Sequence, residues 1–519
     1  MTATDSKRIA KNTLYLYIRT FVAMAVSLYT SRKILEALGV EDFGILNVVG
    51  GIIALMAFIN GSMSVATQRY LTYELGRDSG GDFNRVFNIS LRVHMLIAAV
   101  VLLAAETVGL WFVNTHLNIP DARMGAANWI YQATVLSALL GIVQTPYNAA
   151  IVSHEHMHIY AYVGLGETFA RLAIVLALLI YPYDRLAVWG FAFFALQLTV
   201  SLIYRWYCIR RFDNCRIQRH AWDRKLFRSM LGFTGWNMFG TVAWTAKDQG
   251  ASILLNIFGG PVFNAARGVS GQVTGAIRSL ISGFQTAVNP QITKNYASGN
   301  NAATCSLLCK SSKISYFLML ILSLPVLAET DTILGLWLVQ VPPMAVLFTR
   351  LVIIESLLDT LAGPMITALM ATGRIKWYQI TVGSILLFNI PVAYLLLRAG
   401  FHIATPLIVS IVFMLLGNAS RIIFCRNMLG LSIRRYARTV IGPIVLVSLL
   451  SAIPVIFVIM NMETGLLRLA VSVAAGFISV TLICFTAGLT GSERRFIINA
   501  VRPRLVRLKI LKRLNVETR

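Results

Sequence analysis

The chain has 519 residues, of which 57% are hydrophobic and 13% are charged. Ordinary soluble domains carry roughly 25% charged residues, and a mean hydropathy of +0.69 means that a water-shielded core cannot hold all the apolar residues. This composition excludes a soluble globular protein, a disordered chain, a coiled coil and a disulfide scaffold. The solvent for most of the chain is therefore lipid.

The charge is strongly basic, with 46 Lys and Arg against 22 Asp and Glu and a formal net charge of +24. In a soluble chain this excess would indicate nucleic acid. In a membrane protein Lys and Arg collect in cytoplasmic loops, so no nucleic-acid partner is expected. Cys305 and Cys309 have helical spacing without a second pair or His nearby, so zinc is not the favoured interpretation.

A transmembrane helix needs about 20 mostly apolar residues, and the sequence contains fourteen such stretches joined by short loops. The first is not a signal peptide, because its apolar stretch is too long, contains Arg19 and lacks a cleavage site. The predicted fold is therefore all-α and integral to the membrane. The spans are 12–35, 43–67, 86–113, 126–150, 158–181, 186–206, 229–257, 262–289, 306–328, 345–371, 377–397, 402–424, 439–460 and 466–489.

Most basic residues fall in the even-numbered loops and the two tails, notably in 205–228 and 492–519. The positive-inside rule therefore predicts that both termini are cytoplasmic. The C-terminal tail alternates basic and apolar residues at helical spacing. Two interpretations of the tail remain open, a helix lying on anionic lipid of the inner leaflet and a simple topology anchor.

Two weak internal matches indicate a duplication. LEALGVEDFG (35–44) aligns with LNIFGGPVFN (255–264), and Pro146, Ala150 and Tyr160 align at nearly the same offset with later Pro, Ala and Tyr residues. The copies lie six spans apart, and an even-numbered repeat predicts two lobes related by a pseudo-two-fold axis along the membrane normal. The predicted organisation is a six-helix lobe 1–208, a basic linker 209–228, a six-helix lobe 229–428, two extra helices 429–490 and a basic amphipathic tail 491–519.

Spans 7 and 8 carry polar residues at intervals of three or four, which places these residues on one face of each helix. We predict that the two faces line a cleft between the lobes, and ordinary helix packing through small residues is the alternative. The predicted cavity-lining residues are Asn237, Thr241, Trp244, Asn264, Thr274 and Gln285.

Four basic side chains lie inside spans 1, 7 and 8, namely Arg19, Lys247, Arg267 and Arg278. One charge at the centre of a bilayer costs roughly 2.5–3.5 kcal/mol even on lenient scales. We therefore expect each to face water, a carboxylate or a ligand. For Arg19, near the inner end of its span, snorkelling to the interface is an equal alternative.

The acids inside the spans admit two roles. Glu167 precedes Arg171 by four residues, which predicts a structural ion pair. Like charges one helical turn apart in a low dielectric do not both ionise readily, so Glu355 and Asp359 indicate a bound cation or a held proton. The alternative is that one of them neutralises Arg350 or Lys247. The predicted ion-coupling residues are Asp248, Glu355 and Asp359, with Na⁺ or H⁺ as the ion and no other cofactor.

The sequence contains few motifs that are typical of catalytic sites. The segment SHEHMH contains His154, His156 and His158, but a solvated loop is favoured over a metal site. We find no Gly-rich phosphate loop, no nucleophile elbow and no large external loop with paired acids. An enzyme is therefore not predicted, although a membrane enzyme of glycan assembly is kept as an alternative.

Three segments carry a family resemblance, together with the fourteen-span repeat. They are NTLYLYIRTF, SRKILEALGVEDFGILNVVGGI and GGPVFNAARGVSGQV at the start of span 8. On these features the chain resembles the polysaccharide flippases of the MOP superfamily, in the oligosaccharidyl-lipid transporter branch. The resemblance covers essentially the whole chain. Members of this branch carry repeat units for O-antigen, capsule or exopolysaccharide.

The resemblance implies that a polyprenyl-pyrophosphate-linked oligosaccharide moves from the inner to the outer leaflet of a bacterial cytoplasmic membrane by alternating access. It implies that Arg19, Lys247, Arg267 and Arg278 bind the anionic substrate, since the Arg fork matches phosphate. The implied partners are this substrate, membrane lipids, and a polysaccharide polymerase with its chain-length machinery. A lipid II flippase and a MATE-type exporter are the alternatives, and spans 1 and 2 lack the mid-span acid typical of the MATE branch.

Overall fold

The computed structural model describes residues 3–77, 82–115, 121–180, 184–218, 223–338, 340–491 and 493–494. Within these ranges some side chains are outside the description, among them those of residues 3–11, 47–60 and 264. All regular elements of the described residues are helices, which confirms the all-α prediction. The tail 491–519 lies almost wholly outside the described residues, so both interpretations of it remain predictions.

The N-terminal lobe begins with a long helical run and continues with four membrane-length segments. A π-helical turn, Ala105–Gly109, joins the second and third helices into one span. The helices are α1 (Ala3–Leu75), α2 (Phe83–Ala104), α3 (Leu110–Thr115), α4 (Asp121–Ser153), α5 (Met157–Ile180) and α6 (Arg185–Arg211).

The C-terminal lobe repeats this order with one interruption, at Leu361, which divides the predicted span 345–371 into two helices. The helices are α7 (Arg224–Gly259), α8 (Pro261–Ala297), α9 (Asn301–Ala328), α10 (Thr330–Trp337), α11 (Ala345–Thr360), α12 (Ala362–Ala371), α13 (Lys376–Arg398) and α14 (Thr405–Leu429).

The last two spans form α15 (Ile433–Tyr436), α16 (Gly442–Asn461) and α17 (Leu466–Ile483), with a π-helical turn before α16 and another after α17. Two ion pairs of low exposure attach this part to the C-terminal lobe. Arg468 meets Glu329 at 2.9 Å, and Lys313 meets Glu493 at 2.7 Å. Both cations therefore gain a carboxylate partner that offsets the cost of burying their charge.

The first helix contains a reversal of the chain. A straight helix of 73 residues would be about 110 Å long. Asn12 nevertheless donates a hydrogen bond to the carbonyl of Glu155, and Thr72 bonds to Ser153. Both ends of α1 thus reach the same end of the lobe, as the two predicted antiparallel spans 12–35 and 43–67 require.

Helix contacts repeat between the two halves. α1 packs along α5 as α7 packs along α13, and α4 packs on α6 as α11 and α12 pack on α14. This is the arrangement expected of two six-helix lobes from a duplicated unit. The boundaries at 208, 228, 428 and 490 remain predictions.

Nine helical segments of the described chain are long and apolar enough to cross a membrane, which agrees with a multi-pass protein of about fourteen spans. Neither α7 nor α8 is among the nine, because polar side chains occur along both helices. The rows of polar residues found in the sequence thus lie on two helices that differ from ordinary lipid-facing spans.

Candidate functional site

The polar faces of α7 and α8 bring charged side chains together inside the C-terminal lobe. Lys247 of α7 forms an ion pair with Glu355 of α11, and their side chains are 3% and 12% exposed. Lys247 and Glu355 were predicted separately, one as a substrate ligand and the other as an ion-coupling acid. The pair matches the alternative interpretation of Glu355, in which this acid neutralises Lys247, and its role in ion coupling stays a prediction.

Two further pairs follow the same rule. Arg267 meets Asp248 at 2.5 Å across the α7–α8 contact, and Arg278 pairs with Asp359 of α11. The partner of Asp248 thus belongs to the neighbouring helix of its own lobe. Each predicted ion-coupling acid is therefore bound to one predicted substrate-binding cation.

This pairing changes the electrostatics of the site. The six charges of Lys247, Asp248, Arg267, Arg278, Glu355 and Asp359 sum to zero. Glu355 and Asp359 lie one turn apart on α11, yet each has its own cation, so their repulsion is compensated. The net positive cleft expected from the four basic residues is not formed by these pairs.

Arg19 lies apart from the other three predicted cations. Its guanidinium sits 4.6 Å from the centre of the Tyr160 ring on α5 and lies close against Gly164. A cation above an aromatic face is stabilised by the ring quadrupole. These contacts place Arg19 in the N-terminal lobe. Its Nε atom has no hydrogen-bond partner, and no carboxylate of the described residues forms an ion pair with it.

A cavity of about 190 Å³ lies between α7, α12, α13 and α14. Three of the predicted cavity-lining residues, Asn237, Thr241 and Trp244, form its α7 wall. The opposite wall contains Tyr378, Gln379 and Arg421. Trp244 also lies 5.8 Å from the Arg278 guanidinium, so one aromatic ring separates this cavity from the Arg278–Asp359 pair.

The other predicted lining residues have different surroundings. Thr274 is buried, and its hydroxyl donates to the carbonyl of Ser270. Gln285 donates to the Thr360 carbonyl beside the interruption at Leu361 and supports that break with a hydrogen bond. The side chain of Asn264 lies outside the described residues.

Side chains of the two lobes meet at the end where α1 and α7 begin and α8 ends. We call this the basic end, because it carries the linker 209–228. The Glu155 carboxylate, fully buried, accepts hydrogen bonds from Gln291 and Lys294 of the other lobe. Arg69 of α1 donates to the carbonyls of Met370 and Ala371 at 2.8 and 2.9 Å. These contacts close the cleft at the basic end.

The remaining sequence predictions concern local contacts. Glu167 pairs with Arg171 at 3.1 Å, which confirms the expected pairing. His154 stacks on Phe212 with 4.0 Å between ring centres, and burial lowers the pKa of His154. Its ring is thus part of a packed contact at the loop 154–156.

Three charged residues with buried or inter-lobe contacts were not predicted from the sequence, namely Arg421, Arg69 and Glu155. Arg421 is an arginine inside predicted span 12, which is the usual signal of a functional or paired charge in a membrane. Arg69 and Glu155 lie at span ends, where charged residues are common, so their inter-lobe contacts are visible only in three dimensions.

The fold matches that of known transporters. No protein-family model and no curated protein matches the chain. An outward-facing multidrug resistance MATE family transporter of the MOP superfamily aligns with a TM-score of 0.68 and 11% identity, over 83% of this chain and 99% of that one.

Two other solved structures have the same fold. The MATE transporter ClbM in complex with Rb⁺ gives a TM-score of 0.64 and 15% identity, covering 83% of this chain and 97% of its own. A MOP superfamily transporter from Pyrococcus furiosus gives 0.62 and 11%, covering 82% and 98%. At such identities the likeness establishes the fold, whereas the substrate must be argued from the site.

Proposed function

We propose that the chain is a flippase that moves a polyprenyl-pyrophosphate-linked oligosaccharide from the inner to the outer leaflet by alternating access. The observation that carries the proposal is an excess of cations on the helices around the cleft. Three cations have carboxylate partners, whereas Arg19 and Arg421 have none among the described residues. Pyrophosphate is a strongly anionic acceptor that matches the guanidinium fork.

The ion pairs supply a way to bind and release this anion. A phosphate oxygen can replace a carboxylate as the acceptor of an Arg fork. Arg278 and Asp359 are the most accessible of the three pairs, at 33% and 25% exposure. When substrate takes Arg278, Asp359 loses its cation and takes up H⁺ or Na⁺, which links ion movement to transport.

The closed basic end fits one state of such a cycle. With the linker 209–228 on the cytoplasmic side, the contacts of Glu155 and Arg69 seal the cleft from the cytoplasm. Inward opening then requires Glu155 to separate from Lys294. The product leaves at the outer leaflet of the bacterial cytoplasmic membrane, where a polysaccharide polymerase and its chain-length machinery consume it.

A MATE-type cation-coupled exporter is the second candidate, because the matching solved structures include MATE transporters. The Pyrococcus furiosus protein is described as having a binding pocket of reverse polarity, which suggests a different function for that protein. The sign of the binding pocket therefore varies within this fold. The unpaired cations of this chain favour an anionic substrate.

Transport in proteoliposomes tests the proposal. Labelled polyprenyl-pyrophosphate oligosaccharide should become accessible on the opposite leaflet in vesicles with the protein, and the rate should fall in Arg278→Gln. Arg350→Gln is the matched control, since Arg350 pairs with Asp331 away from the cleft. Transport of a cationic dye without lipid flipping would favour the MATE alternative, and chemical conversion of the sugar would indicate an enzyme.

A further inference from the structure

The cavity between α7, α12, α13 and α14 has one charged lining residue, Arg421, among neutral and apolar neighbours. Its free donors are the Trp244 indole N–H and one amide hydrogen each of Asn237 and Gln379. The Thr241 hydroxyl is already donated to the Asn237 carbonyl. None of its lining residues is acidic. A cavity with donors and one cation suits an anion rather than a metal ion.

Arg421 is the central feature of this cavity. The residue is 3% exposed, and its Nη1 atom donates to Oδ1 of Asn418 at 3.1 Å. Its Nε atom has no hydrogen-bond partner in the described structure. The Tyr378 side chain on α13 makes a hydrogen-bonding contact with the guanidinium, which leaves the Nε donor unused. Arg421 thus keeps both charge and donor capacity for a further group.

The acids of the neighbouring helices already form ion pairs with other cations. Asp359 pairs with Arg278, Glu355 with Lys247 and Asp248 with Arg267. Among the described residues no carboxylate lies within ion-pair distance of Arg421. An isolated buried charge is strongly unfavourable, and Arg does not escape the cost by losing its proton. Water satisfies the donors but supplies no opposite charge.

The size of the cavity permits an anion with its water. One water molecule occupies about 30 Å³ of liquid volume, so 190 Å³ accommodates a halide or a phosphate group together with several waters. We infer that this cavity is an anion-binding site of the C-terminal lobe, separate from the three ion pairs, in which Arg421 is the charged ligand.

Two sources of the anion share this chemistry. One is a free inorganic anion, chloride or phosphate, which would be a resident of the lobe. The other is the pyrophosphate of the lipid-linked substrate, which would reach the cavity past Trp244 from the Arg278–Asp359 pair. The inference does not depend on the proposed function, because a resident inorganic anion suits any transporter with this lobe.

Thermal stability of the purified protein measures the binding. The full chain in detergent is titrated with chloride, inorganic phosphate or farnesyl pyrophosphate, with gluconate keeping the ionic strength constant. We expect the melting temperature of the wild type to rise with at least one of the three. In Arg421→Gln the apparent dissociation constant should rise about tenfold or more, since a charged hydrogen bond is lost.

Matched variants separate the site from general charge effects. Arg426→Gln removes an exposed arginine from the same helix, α14, and should respond like the wild type. Gly240→Ala keeps Arg421 but places a methyl group against the Gln379 amide, a flexible group that can move aside. This substitution should weaken anion binding without preventing folding.

The outcomes are distinguishable. Stabilisation by chloride or phosphate identifies a resident anion, and stabilisation by farnesyl pyrophosphate alone identifies the substrate group. If none of the anions shifts the melting temperature of the wild type, or if Arg421→Gln responds equally, the inference is overturned. If Arg421→Gln does not fold, the comparison uses Gly240→Ala, in which unchanged binding overturns it.

Discussion

At the scale of single residues, the role of a charged side chain in this lobe depends on which residue it pairs with more than on its position in the sequence. Lys247 and Asp248 are adjacent in sequence, but neighbouring helical residues point in different directions. Lys247 therefore reaches α11 while Asp248 reaches α8. Lys247 and Asp248 therefore form no ion pair with each other. Each stabilises the contact of α7 with a different helix.

Removing one partner of the Lys247–Glu355 pair should be costly. Lys247→Met leaves the Glu355 carboxylate buried without a cation, and such a break costs roughly 3–5 kcal/mol. The double variant Lys247→Met with Glu355→Gln should recover most of this loss, because neither partner then carries a charge. Thermal unfolding of the purified proteins compares the stability of the two variants. A double variant as unstable as Lys247→Met would contradict the prediction.

The transport rate of Arg278 variants should depend on the charge and the geometry of the new side chain. Arg278→Lys keeps the charge but loses the fork, so transport should fall partially, whereas Arg278→Ala should impair it severely. Arg278→Glu should abolish transport and still leave protein in the membrane. Membrane abundance measured together with transport distinguishes a role in transport from a role in folding. If Arg278 were purely structural, the Ala and Glu variants would lose abundance and transport together.

The sequence allowed the charged residues of the C-terminal lobe to be found, but of their pairs it suggested only Lys247–Glu355, and that as an alternative. Helical spacing shows that Glu355 and Asp359 share a face, and the hydrophobic setting shows that Arg267 and Arg278 need a partner. Which helix supplies that partner depends on inter-helix packing. Arg421 was overlooked for another reason, because its span was not searched for a polar face, although Asn418 lies one turn before it and accepts its hydrogen bond.

At the scale of helices, hydropathy predicted the number and order of the spans, because lipid requires helices that satisfy their own hydrogen bonds. The break at Leu361 and the π-helical turns are not marked by hydropathy. The break at Leu361 illustrates the reason, because the Thr360 carbonyl accepts its hydrogen bond from Gln285 of α8, a helix distant in sequence. Such local departures depend on a partner distant in sequence.

The contact between α1 and α8 at the basic end is tight at Gly76. A Cβ atom on this residue would lie 2.7 Å from the Cα atom and the carbonyl oxygen of Lys294, and backbone atoms cannot move aside as a side chain can. Gly76→Ala should therefore separate the two helices and favour opening at the basic end. Gly275→Ala on α8, where a Cβ meets no atom within 4 Å, is the control.

Spin labels at positions 77 and 300, on a background without the native cysteines, would report this opening. The distance distribution of Gly76→Ala should shift to longer values relative to both the wild type and Gly275→Ala. Identical distributions in all three proteins would show that the glycine is not needed for closure.

At the scale of the whole molecule, the basic end defines the orientation. Cysteine labels placed in 205–228 or at the C-terminus should react from the cytoplasm alone, because Lys and Arg are retained on that side. Labels in 330–343 should react from outside. Reaction of the two termini from opposite sides would mean an odd number of spans and would contradict the two-lobe arrangement.

The central claim is that the cations of the C-terminal lobe hold an anionic lipid-linked substrate. Its most direct test neutralises two ion pairs completely, by combining Arg267→Gln with Asp248→Asn and Arg278→Gln with Asp359→Asn. No member of either pair is then left charged without its partner, so the fold should be retained. Equilibrium binding of labelled polyprenyl-pyrophosphate oligosaccharide to the purified protein is the measurement. We predict that affinity falls at least about tenfold while membrane abundance stays normal, and wild-type affinity in this variant would contradict the account.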